Sequence, residues 1–346
     1  AGPAGVAGAG LLKRYGHHVI IYEALSSPGG TAWYGIPDYH LPKDVLLHEI
    51  EKVKEMGVEL RTKVMIGKDI PLSQVLDEND AVLITTGSKD PQRLDIPGSD
   101  LQGVIDGYGF LESVFVNGVN SYFENPKYDL GNNIIVIGGG DTALDCARTA
   151  LRLTRGQGSV TIAYRRTEED MPADPIMIEE AKEEGVRFRF LAQPKSFEGS
   201  DKNQVVATVM EAMQLGRPDQ SGRRHPEPIP GKEFKMNCSA VILAIGRGPT
   251  SFLQKQIGLK MGKHDSIAVN DMYKTSMEGV FAAGDVTSGE TLVVKAMESG
   301  REAAQRVHEY LTGLKDQHIS FYEKYYKQNL YDRMLEGEVE TDLPPD

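Results

Sequence analysis

The sequence predicts an α/β fold of two parallel-sheet domains, the second inserted into the first. Two glycine-rich turns, at Gly2 to Gly5 and at Gly138 to Gly140, each open a helix that leads to an apolar strand. A later apolar strand, 280–283, ends in Gly284-Asp285, and we infer that it returns to the first domain. Alternating strands and helices are typical of parallel sheets, and the return makes the first domain discontinuous.

The sequence of the first domain begins part-way through a strand–turn–helix pattern. Residues 6–12 predict a helix, and the strand that follows ends at Glu23. No strand precedes Gly2, so we expect the first strand of this domain and the first glycine of its turn to lie upstream of Ala1. The alternative is a glycine- and alanine-rich start that frays. The later predicted elements are a helix over 41–56, strands over 58–64 and 81–86, and a turn-rich domain crossing over 91–103.

The second domain shows a complete strand–turn–helix unit. An apolar strand over 134–137 leads into the glycine turn, and helical spacing continues over 141–153. The remaining predicted elements are strands over 160–164, 186–190 and 240–245, a helix over 175–184, and an antiparallel pair over 205–215 and 234–236.

The turn of the second domain has the pattern Gly-x-Gly-x-x-Ala from Gly138 to Ala143. The first glycine makes a tight turn, Gly140 lets the backbone approach a pyrophosphate, and the alanine permits close helix–strand packing. The helix beginning at Asp141-Thr142 then directs free N–H groups at the phosphates. This context favours nucleotide binding over a purely structural turn.

The residues that end the second strand of each domain predict which ribose is bound. Glu23 suits an adenosine ribose with a free 2′-hydroxyl, such as that of FAD, and Gly2 and Gly5 are then the last glycines of its turn. In the second domain the strand runs into Arg165-Arg166, whose guanidiniums can pair with a 2′-phosphate. We therefore predict NADPH rather than NADH. The alternative is a solvated arginine pair.

Two further strand ends have the form of a flavin site. They are Thr85-Thr86-Gly87 and the segment from Thr275 to Asp285, in which the aspartate after Gly284 can hydrogen-bond a ribityl chain. The helix that begins near Thr291-Leu292 can direct N–H groups at the isoalloxazine and stabilise negative charge on it. The alternative for Gly284-Asp285 is a turn with a helix cap.

Composition narrows the possible functions. The chain has 346 residues and a net charge of −12, which argues against nucleic acid as the main partner. Its two isolated cysteines, Cys146 and Cys238, exclude a disulfide scaffold, an iron–sulfur cluster within this chain and a paired redox centre. The histidines show no metal-ligand spacing, and no apolar run is long enough for a membrane span. We expect a cytoplasmic protein without a metal site.

An ordered series of motifs closely resembles the small (β) subunit of glutamate synthase. The flavoprotein subunits of NADH-dependent ferredoxin:NADP oxidoreductase and the N-terminal half of dihydropyrimidine dehydrogenase are similar. The resemblance covers about residues 1–313. It rests on Pro28-Gly29-Gly30, Tyr34 to Asp38, Leu41-Pro42-Lys43, Thr86-Gly87, Ile96-Pro97-Gly98, Tyr164-Arg165-Arg166, Met171-Pro172-Ala173 and Val280 to Asp285.

The resemblance implies an FAD domain that is split around an inserted NADPH domain, both Rossmann-like and dinucleotide-binding. It implies these FAD positions: Gly2, Ala4, Gly5, Glu23, Gly30, Leu41, Val64, Gly87, Gly284, Asp285 and Thr291. It implies these NADPH positions: Gly140, Asp141, Thr142, Arg165, Arg166 and Gly246. The predicted bounds are 1–104 and 248–315 for the FAD domain, 105–247 for the NADPH domain and 316–346 for a helical tail.

The family's activity implies an electron-entry module that takes a hydride from NADPH onto FAD. Electrons then pass to an iron–sulfur domain or a large subunit, with the clusters outside this chain. No general base is needed, because the reacting atoms belong to the cofactors. Two alternatives stay open: a ferredoxin–NADP reductase or transhydrogenase flavin subunit, and a flavin-free structural or regulatory subunit.

Overall fold

The computed structural model describes residues 1–116, 118–124, 126–218, 224–249 and 258–314, so the predicted tail lies outside the described residues. The helices, α1 to α10 in chain order, are Pro3–Arg14, Thr31–Tyr34, Lys43–Glu55, Leu72–Glu78, Gly107–Phe115, Val119–Glu124, Asp141–Leu153, Pro175–Glu183, Asp285–Ser288 and Val293–Thr312. The strands, β1 to β14, are Ile20–Glu23, Glu59–Thr62, Val82–Ile84, Asp90–Pro91, Val104–Asp106, Asn133–Ile137, Ser159–Tyr164, Arg187–Phe190, Ala192–Gly199, Val205–Pro218, Arg224–Asn237, Ala240–Leu243, Arg247–Gly248 and Val280–Ala282. Within these ranges no helix is both long and apolar enough to cross a membrane.

The inserted domain is built on a parallel sheet of five strands in the order β5-β12-β6-β7-β8. Alternate residues of β6 belong to different cores: Ile134 and Val136 pack with α5 and α7, whereas Ile135 and Ile137 face the opposite side. Both faces of the strand are covered, which is why its sequence is continuously apolar. The chain continues from β6 to β7 on one side and returns through β12 on the other. The carboxyl end of β6 is therefore a topological switch point.

The second face of this sheet is covered by an antiparallel sheet in the order β11-β10-β9. Phe197 and Met210 from this sheet pack into the same core as Ile135 of β6. The structure confirms the predicted antiparallel pair and adds β9, which the sequence analysis did not predict. The helix α5 was also not predicted, although its residues Phe110 and Leu111 are fully buried.

The outer domain contains the residues on both sides of the insertion. Strand β1 pairs in parallel with β2, and β3 pairs in parallel with β14. The pairing of Val82 with Val280 confirms that the chain returns to the first domain, as the Gly284-Asp285 motif predicted. Helix α1 packs along α10, so the two sequence-distant parts share one core that includes Ala9, Phe281 and Val307.

The two chain crossings between the domains meet in a short antiparallel ribbon. Arg247 of β13 pairs with Pro91 of β4, and Gly248 pairs with Asp90. Beyond β4, Leu94 and the residues that follow pack on the core of the inserted domain. The domain bounds stay a prediction, and this packing favours a boundary at the ribbon rather than at residue 104.

Candidate dinucleotide sites

The glycine turn of the inserted domain leaves open space before a helix. Gly138 has a φ of 152°, and a Cβ there would lie 2.2 Å from the carbonyl oxygen of Ala244. Gly140 is the N-cap of α7 and has no side-chain cap. The nearest heavy atom to a Cβ built on Gly140 is Pro172 Cγ, at 3.9 Å. The first N–H groups of α7 thus face a space in which a pyrophosphate fits.

The residues after the turn hold the helix in place. Ala143 is fully buried beneath Gly138, where a larger side chain would force helix and strand apart. Asp141 Oδ1 accepts a hydrogen bond of 2.9 Å from the backbone N–H of Asp174, and Thr142 is half-buried in the first turn. Asp141 therefore fixes the segment before α8 over the open end of α7. The nucleotide contacts of Asp141 and Thr142 stay a prediction.

The two predicted ribose-phosphate readers have different surroundings. Both follow β7, whose Ala163 pairs with Ile137 immediately before the glycine turn. Arg165 is exposed, whereas Arg166 is buried and donates from Nε to the carbonyl oxygen of Arg224, at 2.8 Å. Arg166 thus ties the end of β7 to β11. Exposure favours Arg165 as the guanidinium that reaches a 2′-phosphate, and both assignments stay predictions.

The corresponding turn of the outer domain is also lined by glycine. Gly2 is the N-cap of α1, with Pro3 in the first helical turn and no side-chain cap or acidic residue there. Gly30 has a φ of 56°, and a Cβ on it would lie 2.8 Å from Gly2 Cα. The two backbone segments approach so closely that side chains would fill the cradle. The free end of α1 therefore fits the pyrophosphate of FAD.

Glu23 stands beside this turn at the end of β1. Its carboxylate is buried; Oε2 lies 2.8 Å from the backbone nitrogen of Ala1, and Oε1 accepts a hydrogen bond from Leu25 N–H at 2.9 Å. The N–H of Val64 donates to the Glu23 carbonyl oxygen, also at 2.9 Å, and so holds the next segment against the strand end. The placement of this acid agrees with a ribose-binding role, which stays a prediction.

Close packing between α1 and its neighbours orients the open end of α1. A Cβ on Gly5 would lie 2.7 Å from Thr85 Oγ1 at the end of β3. A Cβ on Gly300 of α10 would lie 2.1 Å from the carbonyl oxygen of Ala4, and one on Gly8 would lie 2.8 Å from the Gly300 carbonyl oxygen. Small residues thus bring α1, β3 and α10 together. This contact is the physical reason for several of the glycines in the first motif.

The Gly-Asp segment connects β14 to α9, which lies just before α10. Gly284 has a φ of 74°, and its N–H donates to Ser299 Oγ at 2.9 Å. Asp285 Oδ1 accepts a hydrogen bond of 3.0 Å from Thr291 Oγ1, while burial raises the pKa of the Asp285 carboxyl. Leu292 is the exposed N-cap of α10 and has no side-chain cap. The arrangement brings the predicted Asp285, Thr291 and Leu292 to one helix end.

The remaining predicted cofactor positions have fewer close neighbours. Gly87 has a φ of 74° with no heavy atom within 4 Å of a built Cβ, and Leu41 is half-buried. A Cβ on Gly246 would lie 3.6 Å from Glu290 Oε2, so this glycine lies where the two domains meet. It lines an open cleft of about 970 Å³ together with Arg247, Glu290 and residues 262–269.

Sequence reasoning missed a cluster at this same junction: Thr31, Tyr108, Arg247 and Glu290. Arg247 directly follows the predicted Gly246, but its partners come from three separate elements. Tyr108 lies on α5, for which no motif was recognised. Adjacency to Gly246 is the one sequence signal that could have pointed to Arg247.

The cysteines play no part in these sites. Cys146 is fully buried on α7 and donates from Sγ to the Gly107 carbonyl oxygen at 3.4 Å. Cys238 is also free, and burial raises the pKa of its thiol to about 12. Across the described ranges, no group of three or more His, Cys, Asp or Glu side chains is arranged to hold a metal ion.

Known proteins resemble this chain along most of its length. A family model described as pyridine nucleotide-disulphide oxidoreductase matches residues 1–300. The NADP(+)-dependent formate dehydrogenase subunit beta of Moorella thermoacetica is 39% identical over 90% of this chain and 43% of its own length. The glutamate synthase [NADPH] small chain of Halomonas elongata is 36% identical, over 90% and 66%. The chain thus spans less than half of the Moorella protein.

Solved structures show the same fold at lower identity. The structure of Mycobacterium tuberculosis FprA in complex with NADPH has a TM-score of 0.76 and 19% identity, covering 99% of this chain and 86% of that one. The predicted two-domain α/β fold and the resemblance to the glutamate synthase small subunit are confirmed, and the family model supports an oxidoreductase that uses a pyridine nucleotide. The chain belongs to the pyridine nucleotide-disulphide oxidoreductase family.

Proposed function

We propose that this chain is an electron-entry module that oxidises NADPH and passes the electrons through FAD to an iron–sulfur domain or a large subunit. The observation that carries the proposal is that the glycine turn of each domain opens on the uncapped start of a helix of 12 or 13 residues. Gly2 before α1 and Gly140 before α7 each open on a space that side chains do not fill. Two such ends in one chain provide sites for two dinucleotides.

The residues of the chain bind and orient the two cofactors, and they need not exchange protons with the substrate. When both cofactors are bound, a hydride passes from the nicotinamide to the flavin, which is chemistry of the cofactors. Gly2 and Gly30 receive the pyrophosphate of FAD, and Glu23 holds its adenosine ribose. Gly140 receives the pyrophosphate of NADPH, and Arg165 its 2′-phosphate.

The partner belongs to the proposal because the chain covers only part of its relatives. Its two cysteines are too few to hold an iron–sulfur cluster, so onward transfer needs a separate domain or subunit. Relatives named as subunits of formate dehydrogenase and glutamate synthase support such a partner. Both cysteines are free, which supports our proposal of a cytoplasmic location. A ferredoxin–NADP reductase or transhydrogenase subunit differs only in the acceptor, whereas family membership argues against a flavin-free subunit.

Anaerobic titration of the purified, FAD-loaded chain tests this function. We expect stoichiometric NADPH to bleach the visible flavin absorbance, and NADH to do so much less effectively. Dithionite is the control, because it reduces any accessible flavin whether or not a nicotinamide site exists. A chain that binds no FAD, or whose flavin is bleached by dithionite but not by NADPH, would contradict the proposal.

A further inference from the structure

One guanidinium nitrogen at the domain junction is buried without a partner. The side chain of Arg247, on β13, is 6% exposed. Its Nε pairs with Glu290 Oε1 at 2.7 Å, and its Nη2 lies 3.4 Å from Thr31 Oγ1. Nη1 has no hydrogen-bond partner among the residues that the structure describes. A buried charged donor without an acceptor is costly, so this nitrogen indicates an absent ligand atom.

The position of Arg247 shows which part of the molecule its free nitrogen serves. Thr31 begins α2 immediately after Gly30, and Gly30 packs on Gly2 at the open end of α1. The guanidinium therefore borders the same turn that is suited to a pyrophosphate. Glu290, its ion-pair partner, lies just before the first residue of α10. Both polar contacts thus come from the outer domain.

Packing holds the guanidinium rigidly in this orientation. Its Cζ lies 3.9 Å from the centroid of the Tyr108 ring, a cation–π contact. The Tyr108 ring is itself confined, since a Cβ on Gly35 would lie 2.5 Å from Tyr108 Cε2. Because Tyr108 belongs to α5 of the inserted domain, the stack joins the two domains at the arginine.

The charge of the site defines the missing acceptor. The guanidinium is paired with one carboxylate, and the neighbouring first turn of α1 contains no acidic residue that could accept from Nη1. We propose that Arg247 is an FAD-binding residue whose Nη1 donates to a phosphate oxygen of the flavin cofactor, so that bound FAD is linked directly to the interdomain ribbon. This inference rests on the proposed function. Guanidinium is well suited to phosphate, because it presents several donors in a fixed plane.

The variants R247M and R247K test the assignment, with R61M as the matched control. Arg61 is an exposed arginine of the outer domain that pairs with Glu59 at 2.7 Å and lies over the Tyr22 ring. The FAD dissociation constant is measured by titrating the deflavinated chain, and NADP⁺ affinity is measured on the same samples. For R247M we expect FAD binding roughly 10- to 100-fold weaker, the loss typical of a hydrogen bond to a charged group. The FAD dissociation constant of R247K should lie between those of wild type and R247M, and that of R61M should match wild type.

Unfolding temperature without FAD separates ligand binding from a structural role. R247M removes a buried unpaired donor but also the ion pair with the partly exposed Glu290, so the flavin-free chain should lose at most a small part of its stability, whereas the stabilisation by added FAD should shrink markedly. An R247M chain that binds FAD within threefold of wild type, or that loses NADP⁺ affinity instead, would overturn the assignment. A fall in the stability of the flavin-free chain that matches the loss of FAD binding would also overturn it. If wild type binds no FAD, the proposed function itself fails.

Discussion

The close contact between α1 and α10 predicts that an added methyl group at Gly300 lowers the stability of the protein. Gly300 lies within α10, and a methyl group added there would stand 2.1 Å from the carbonyl oxygen of Ala4. That oxygen belongs to the first turn of α1 and cannot rotate away as a flexible side chain would. The substitution Gly300→Ala must therefore move one helix relative to the other by about 1 Å, since carbon and oxygen atoms need roughly 3 Å or more.

Two opposing effects determine how much Gly300→Ala changes the free energy of unfolding. Overpacking of a close contact costs about 1–3 kcal/mol, and a rigid backbone partner places this case near the upper end. Replacing glycine by alanine inside a helix returns about 1 kcal/mol. We therefore expect Gly300→Ala to lower the free energy of unfolding by about 2 kcal/mol. Movement of α1 should also weaken FAD binding, because we propose that the open end of this helix binds the pyrophosphate.

Gly10→Ala is the matched control, as it adds the same methyl group to the other helix of the pair. Its Cβ would meet Val53 Cγ2 at 3.4 Å, an ordinary contact, so the helix-propensity gain should remain and the variant should be stabilised. Urea unfolding of both variants and FAD titration supply the comparison. If Gly300→Ala is as stable as wild type, or if both variants shift in the same direction, the close helix contact is not as described.

Two further predictions concern the inserted domain. Replacing Arg165 and Arg166 together by alanine should weaken NADPH by about 10- to 100-fold while NADH changes little, as measured by equilibrium binding; equal losses would refute the 2′-phosphate assignment. Glu184 pairs with buried Arg148 at 2.6 Å. Partial burial would raise the pKa of the Glu184 carboxyl, but Arg148 and Arg152 hold it below the ordinary 4.5. A depressed acid pKa stabilises the fold above the unfolded value, so Glu184→Gln should cost about 1–2 kcal/mol near neutral pH. That difference should disappear as the pH falls through the lowered pKa; a constant difference across this range would exclude the ion pair as its cause.

Much of the fold was predictable because local patterns coincide with tertiary burial. The apolar run over 134–137 belongs to a strand covered on both faces, and its buried side chains alternate between two cores. The predicted helix over 141–153 matches α7 in full. Helix α5 was missed because its glycines at 107 and 109 disguise a segment whose helicity depends on packing against α7.

The residues of the candidate sites also fall into two groups, those that local motifs predict and those that only the fold brings together. Glycine positions and strand-end residues such as Glu23 follow from motifs, because a backbone turn and a short-range strand end are encoded within a few residues. The junction of Arg247 with Thr31, Tyr108 and Glu290 joins segments more than two hundred residues apart, as between 31 and 247. No local pattern specifies such a contact.

The sequence by itself therefore determined the fold class and the return of the chain through Gly284-Asp285, and it predicted the two glycine turns and the cofactors FAD and NADPH. These features depend on local backbone geometry and on the period of apolar residues. Only the tertiary structure decided that Arg166 is anchored on β11 while Arg165 is exposed. It also decided that Nη1 of Arg247 is buried with no hydrogen-bond partner among the described residues. Whether a side chain faces ligand or protein depends on which distant elements pack around it. That packing is set by the whole fold rather than by neighbours in the chain.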